Sequence, residues 1–68
     1  MLVEHCRIVS LSGTQKLQAE RALLTFKIPS STSGILLQTK PGSVMACSSQ
    51  PEQAGQLLMD FLIEARLA

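Results

Sequence analysis

The chain has 68 residues, of which 46% are hydrophobic and 16% charged, and six Lys and Arg nearly balance five Asp and Glu. A chain of this length has room for one core and buries only about 60% of the surface that its unfolded form exposes. The basic residues are scattered singly and the only aromatic residues are two phenylalanines. This composition argues against a nucleic-acid partner, which requires clustered cations and stacking surfaces.

The cysteine content and the apolar stretches indicate the compartment. Cys6 and Cys47 permit at most one disulfide, which excludes a disulfide-dense secreted scaffold. Charged residues follow Met1 too closely for a signal peptide. The stretch from Leu57 to Ile63 is the most apolar, but it is interrupted by Asp60 and is too short to cross a bilayer. We therefore expect a cytoplasmic protein that has no membrane partner.

The first two predicted elements are a strand from Leu2 to Leu11 and a helix from Thr14 to Phe26. In the strand, apolar and polar residues alternate imperfectly, because Cys6 and Ile8 share one parity while Val9 takes the other. A bulge or a strand end near Ile8 and Val9 would explain this change. In the helix, apolar residues recur at helical spacing behind a Ser/Thr turn that supplies the N-cap.

The second half of the chain predicts a hairpin and a second helix. Strands at Ile35 to Thr39 and Ser43 to Ser48 flank the turn Lys40-Pro41-Gly42-Ser43. A capping-box pattern then starts a helix from Gln50 to Arg66. The apolar stripe of this helix consists of Ala54, Leu57, Leu58, Phe61, Leu62 and Ala65.

The element order β-α-β-β-α predicts a single α+β domain over residues 1–68. A right-handed crossover makes the first two strands parallel, and the third strand fits between them, antiparallel to both. The expected fold is a three-stranded sheet in the order 1-3-2 with two helices on one face, which is a ferredoxin-like arrangement without its last strand. The first strand then keeps an open edge that favours pairing with another chain, and we expect a homodimer.

The register of the hairpin predicts which side chains face away from the helices. If Thr39 lies opposite Val44, Leu37 and Ala46 point toward the helices, because paired residues share a face. No segment remains to cover the other face of the sheet, which therefore becomes a candidate binding surface for a partner. That face is expected to carry Leu36, Met45 and Cys47, joined by His5 and Arg7 if Cys6 and Ile8 point inward.

The second helix offers a further candidate binding surface at Met59 and Ile63. Both lie off the main apolar stripe, so more than half of the circumference of this helix is apolar. This is more than one sheet face needs to cover. The two residues either contact a partner or simply complete a small core, and the pattern favours neither alternative.

The sequence offers no catalytic motif, no metal site and no cofactor site. His5, Cys6, Cys47 and Glu4 are the nearest approach to a metal-ligand set, but adjacent strand residues such as His5 and Cys6 face opposite sides of a sheet. The predicted register also places Cys6 and Cys47 on opposite faces, which argues against an internal disulfide. We therefore expect both cysteines to be free and the protein not to be an enzyme.

One stretch of the chain resembles a known family. A strand, a short Ser/Thr turn, the helix segment Ala19-Glu20-Arg21-Ala22-Leu23 and the exit Ile28-Pro29 are similar to the opening of the small selenium/sulfur carrier-like family of unknown function. The later β-β-α order also resembles that family. The chain departs from the family at its cysteine-glycine pair, where Lys40-Pro41-Gly42-Ser43 stands instead, and Cys47 comes several residues later.

Two classes of function follow from these observations. The first is a non-enzymatic protein-interaction module, expected to be homodimeric, that binds a partner through the uncovered sheet face or the apolar flank of the second helix. The second, implied by the resemblance, is a thiol carrier for sulfur or selenium. In that case Lys40 and Arg7, and His5 if it is close enough, would stabilise the thiolate of Cys47.

Overall fold

A computed structural model describes residues 5–68 of the chain. Residues 2–4 of the predicted first strand therefore lie outside the described part. The elements follow the predicted order, and both helices agree with the predicted bounds within two residues at each end. They are β1 (His5–Ser10), α1 (Gly13–Thr25), β2 (Ile35–Lys40), β3 (Ser43–Ser48) and α2 (Pro51–Glu64).

The three strands form one antiparallel sheet in the order β1-β3-β2, which confirms the predicted fold class. The central strand β3 follows β2 through the two-residue turn Pro41-Gly42. Gly42 has φ +87°, which suits the third position of a type II turn. Its carbonyl accepts a hydrogen bond from the Leu11 amide at 2.6 Å, so the turn is tied to the end of β1.

Both helices contribute to a core on one face of the sheet. Val44 and Ala46 of β3, Ala19 of α1, and Leu57 and Phe61 of α2 are all at most 1% exposed. The ring of Phe26, just beyond α1, packs edge-to-face on the Phe61 ring with centroids 5.4 Å apart. Because α2 contacts β1 and β3 directly and α1 contacts α2, α2 forms the centre of the packing.

The carboxyl end of α2 is held by backbone hydrogen bonds and by a contact with α1. Arg66 has φ +62°, the left-handed conformation that commonly ends a helix. The Leu67 amide donates to the Leu62 carbonyl and the Arg66 amide donates to the Ile63 carbonyl, which is the pair of bonds of a Schellman motif. The side-chain amide of Gln18 in α1 donates to the Ala65 carbonyl and so joins the two helices.

Two local predictions were wrong. The predicted bulge near Ile8 and Val9 is not present, because β1 pairs with β3 without a break from His5 to Ser10. An irregularity lies instead in β2, between Gln38 and Lys40. The predicted capping box of α2 is also absent, whereas Ser12, in the predicted Ser/Thr turn, is the N-cap residue of α1 as expected. Ser12 and Gln50 occupy the N-cap positions without a side-chain cap, and the Gln50 amide donates to the Ser48 hydroxyl.

Gly34 fixes the chain at the entry to β2. A Cβ atom at this position would lie 2.6 Å from the Cys47 carbonyl oxygen, and its φ of +150° is unfavourable for other residues. Glycine therefore lets the loop after α1 pass directly against β3.

No helix among residues 5–68 is long and apolar enough to cross a membrane.

Candidate functional site

The side of the sheet opposite the helices is the first candidate site. Because paired residues share a face, the side chains of Val9, Val44, Ala46 and Leu36 point toward the helices, and their neighbours along each strand point away. We call the second set the open face. The open face has six apolar residues, Cys6, Ile8, Ile35, Leu37, Met45 and Cys47, and the polar pair Ser10 and Ser43 at its end beside the turn.

The open face is apolar and partly accessible. Ile8 and Ile35 are 58% and 40% exposed, while Leu37 and Met45 are half-buried. The part of the chain that the structure describes therefore leaves Ile8 and Ile35 uncovered. Isolated exposed apolar residues are common on protein surfaces, but these form one patch across three strands, which is typical of a surface that binds another molecule.

The predicted register of β2 was wrong by one residue. Leu36 lies opposite Ala46, and Leu37 lies opposite Met45. A shift of one residue moves every side chain of a strand to the other face. Leu36 therefore packs against the core, whereas Ile35 and Leu37 lie on the open face.

The predicted orientation of β1 was also reversed. Arg7 lies opposite Ala46 and His5 lies opposite Ser48, so both share the helix-facing side of the sheet. Cys6 and Ile8 are on the open face instead. Of the three strand residues assigned to the partner surface from the sequence, the structure brings Met45 and Cys47 together there and removes Leu36.

Cys6 and Cys47 form a disulfide between β1 and β3. This contradicts the expectation that both thiols are free. The expectation failed because it assigned the two cysteines to opposite faces, whereas they are direct cross-strand partners with Cα atoms 4.1 Å apart. The two halves of the bond differ in accessibility, since Cys6 is exposed and Cys47 is only 2% exposed.

The hydrogen bond from Leu11 to Gly42 defines which backbone groups of β1 face β3. Opposed residues in an antiparallel pair alternate between hydrogen-bonded and non-hydrogen-bonded positions. Leu11 with Gly42 is hydrogen-bonded, so Val9 and Arg7 also bond to β3. The amides and carbonyls of Cys6, Ile8 and Ser10 consequently point to the outer edge of the sheet. The short Cα separation of Cys6 and Cys47 agrees with a non-hydrogen-bonded pair.

The two edges of the sheet differ in how they are protected against further pairing. The β2 edge has the irregularity between Gln38 and Lys40 and is followed by Pro41. Bulges, lysine and proline are devices that discourage edge-to-edge pairing. The described strand β1 has a continuous register and contains neither lysine nor proline. It is the edge that is better suited to pair with another chain.

The outer surfaces of the helices are the second candidate site. Met59 and Ile63 are 48% and 59% exposed, so they do not complete the core. Two comparable residues of α1, Leu17 and Leu24, are also exposed and were not predicted from the sequence. Their seven-residue spacing, on the side opposite Ala19, was the signal that could have revealed them.

The charged side chains of the described structure are candidate groups for holding a ligand or a metal ion. A groove between the carboxyl ends of α1 and α2 is lined by charges of both signs, including Arg21, Lys27, Asp60 and Glu64. Among residues 5–68, no three His, Cys, Asp or Glu side chains lie close enough together to hold a metal ion. The disulfide is therefore the chemically distinctive group of the described structure.

Comparison of the chain with protein-family models, with curated proteins and with solved structures gave no significant match.

Proposed function

We propose that the protein is a non-enzymatic protein-interaction module that acts as a homodimer. In this proposal β1 pairs with β1 of a second copy, and the joined open faces bind a further protein. The observation that supports it most directly is the outer edge of β1, which has a continuous register from His5 to Ser10 without lysine or proline and lies beside a largely apolar face. The element order is that of a ferredoxin-like unit without its last strand, and the second copy would occupy the place where that strand would lie.

A symmetric dimer fits the hydrogen-bonding pattern of β1. The outward groups of Cys6, Ile8 and Ser10 can be paired by an antiparallel copy of the same strand centred on Ile8. Ile8 would then lie opposite Ile8 of the second copy, and Cys6 opposite Ser10. The apolar side chains of the two open faces would become neighbours on one surface.

The size of the open face supports pairing before partner binding. Three strands of six residues present a face of roughly 14 by 20 Å, or about 300 Å², from ordinary strand spacings. A specific interface needs about 800 Å² on each partner. A six-stranded sheet doubles the face to roughly 600 Å², which is closer to that requirement.

Substitution of Ile8 by proline tests the dimer. Ile8→Pro removes an outward amide without removing a bond to β3, whereas Ile8→Ala keeps this amide and removes most of the side chain. We expect light scattering over a dilution series to show a dimer for the natural protein and for Ile8→Ala, and a monomer for Ile8→Pro. Circular dichroism checks that both variants remain folded.

Two results would contradict this arrangement. A monomeric natural protein at every concentration would remove the dimer. A dimer that survives in Ile8→Pro but is lost in Met59→Glu would move the interface from the β1 edge to the outer surface of α2. Gln15→Glu is the control for Met59→Glu, because it adds the same negative charge at an exposed helical position, in α1, without removing an apolar side chain.

The alternative function, a thiol carrier that uses Cys47, has no supporting observation in the described structure. A carrier thiol must be accessible as the thiolate, but Cys47 is buried and bonded to Cys6. The proposed module includes neither a nucleic-acid nor a membrane partner, because the few cations are dispersed along the chain. A cytoplasmic location is retained as part of the proposal.

A further inference from the structure

The two cysteines of the Cys6–Cys47 disulfide differ in accessibility. Cys6 is on an edge strand and is exposed, while Cys47 is on the central strand and is 2% exposed. Thiol–disulfide exchange depends on which sulfur a thiolate can reach. An asymmetric bond of this kind directs the attacking thiol to one sulfur.

The neighbours along the sheet strengthen this asymmetry. A thiolate attacks a disulfide along the S–S axis, from the side opposite the sulfur that leaves. Toward Cys47 this path comes from β2, where Ile35 is the direct cross-strand partner of Cys47 on the open face. Toward Cys6 the path comes from beyond the outer edge of β1. Ile35 is thus placed on the side from which Cys47 would be attacked, whereas Cys6 is exposed.

We propose that Cys6–Cys47 is a thiol–disulfide exchange site at which a low-molecular-weight thiol attacks Cys6. The attacking thiolate forms a new S–S bond with the Cys6 Sγ, the Cys6–Cys47 bond breaks, and the Cys47 Sγ leaves as a thiolate that takes a proton from water. A second thiol then attacks the sulfur of the first at the mixed disulfide and releases Cys6 as a thiol. Two thiols are oxidised to one disulfide while the protein gains two electrons and two protons.

The site does not depend on the proposed dimer. In the pairing centred on Ile8, the residue opposite Cys6 is Ser10 of the second copy, whose small side chain leaves the open face accessible at that point. If the protein is cytoplasmic, the disulfide belongs to the class of intracellular disulfides that are formed and broken in use, because that compartment keeps thiols reduced.

The first test measures the position of attack. The air-oxidised protein is incubated with reduced glutathione under native conditions, quenched rapidly with acid, digested and analysed by mass spectrometry. We expect the glutathione adduct on Cys6 to exceed that on Cys47 at least tenfold. A majority of the adduct on Cys47, equal amounts on both, or two free thiols in the oxidised preparation would overturn the proposal.

The second test measures each sulfur separately and remains informative if the adduct rearranges. Cys47→Ser leaves only Cys6, and Cys6→Ser leaves only Cys47. We expect a disulfide reagent to modify Cys6 in Cys47→Ser at least tenfold faster than Cys47 in Cys6→Ser, with both variants shown to be folded by circular dichroism. Equal rates, or a Cys6 rate that appears only at urea concentrations that unfold the chain, would overturn the proposal.

Ile35 provides a control for the shielding of Cys47. In the Cys6→Ser background, we expect Ile35→Ala to raise the rate of modification of Cys47 several-fold, because it uncovers the Cys47 thiol. Leu37→Ala in the same background removes an apolar side chain from the open face at the position opposite Met45 and should leave the rate unchanged. An equal effect of both substitutions would assign the protection of Cys47 to general packing and contradict the role of Ile35.

Discussion

Leu36 lies directly opposite Ala46 on the helix-covered face of the sheet, and its neighbour Leu37 lies opposite Met45 on the open face. Two consecutive leucines of one strand are thus placed in different environments. Leu36 packs against the buried core, whereas Leu37 lies on the open face beside Met45, which separates it from Ile8. This relationship predicts that substitutions of Leu36 affect folding more than substitutions of Leu37 do.

A pair of charge substitutions tests the placement of the two leucines. We expect Leu36→Glu to destabilise the fold by about 2 kcal/mol or more, because it removes an apolar contact with the core and brings a carboxylate into a partly buried position beside Ala46. Leu37→Glu should change the free energy of unfolding by about 1 kcal/mol and lower the binding of an apolar dye to the native protein. Urea titration and dye fluorescence measure both effects. The opposite order of stability would restore the register predicted from the sequence.

The disulfide should contribute substantially to the stability of so small a domain. Its two cysteines are 41 residues apart, and closing a loop of that length stabilises the folded state by about 4 kcal/mol in the chain-entropy treatment. We expect the urea midpoint to fall when the natural protein is reduced. The double variant Cys6→Ser with Cys47→Ser is the control, because a reductant should not alter its midpoint. Identical curves for the oxidised and reduced natural protein would contradict the prediction.

Three glycines allow the close contact at Gly34 to be measured. Gly34→Ala should lower the free energy of unfolding by about 3 kcal/mol, because the new Cβ would approach the Cys47 carbonyl in an unfavourable backbone conformation. At Gly13, where φ is +61° and space is open, alanine should cost only about 1 kcal/mol. At Gly55, inside α2, alanine should stabilise the protein by about 1 kcal/mol. Urea titration of the three variants measures this order, and an equal loss of stability at Gly34 and Gly13 would contradict it.

Arg66 is expected to be replaceable by a better helix terminator. Its left-handed conformation disfavours every residue with a Cβ, so Arg66→Gly should raise the free energy of unfolding by about 1 kcal/mol. Arg66→Ala keeps the Cβ and is the control for the loss of the charged side chain. Thermal unfolding of the three proteins checks this order. A melting temperature that falls equally in both variants would show that the arginine side chain itself stabilises the end of α2.

The sequence determined the element order and the strand order of this protein. Helical and alternating apolar patterns, the Pro41-Gly42 turn and the handedness of the β1-α1-β2 crossover were sufficient to predict a 1-3-2 sheet. The same patterns indicated an apolar surface beyond the core on α2, where Met59 and Ile63 are exposed. These features depend on local spacing, which is present in a single sequence.

Only the tertiary structure decided the faces of the strands and the pairing of the cysteines. A shift of one residue reverses every side chain of a strand, and the consecutive apolar residues Ile35, Leu36 and Leu37 made both registers of β2 compatible with the sequence. The register became fixed by the packing of Leu36 against the core and by the close approach of Gly34 to Cys47. The register of β1 against β3, with Val9 opposite the buried Val44 and Leu11 bonded to Gly42, places Cys6 opposite Cys47, because cross-strand contact depends on three-dimensional register and not on spacing along the chain.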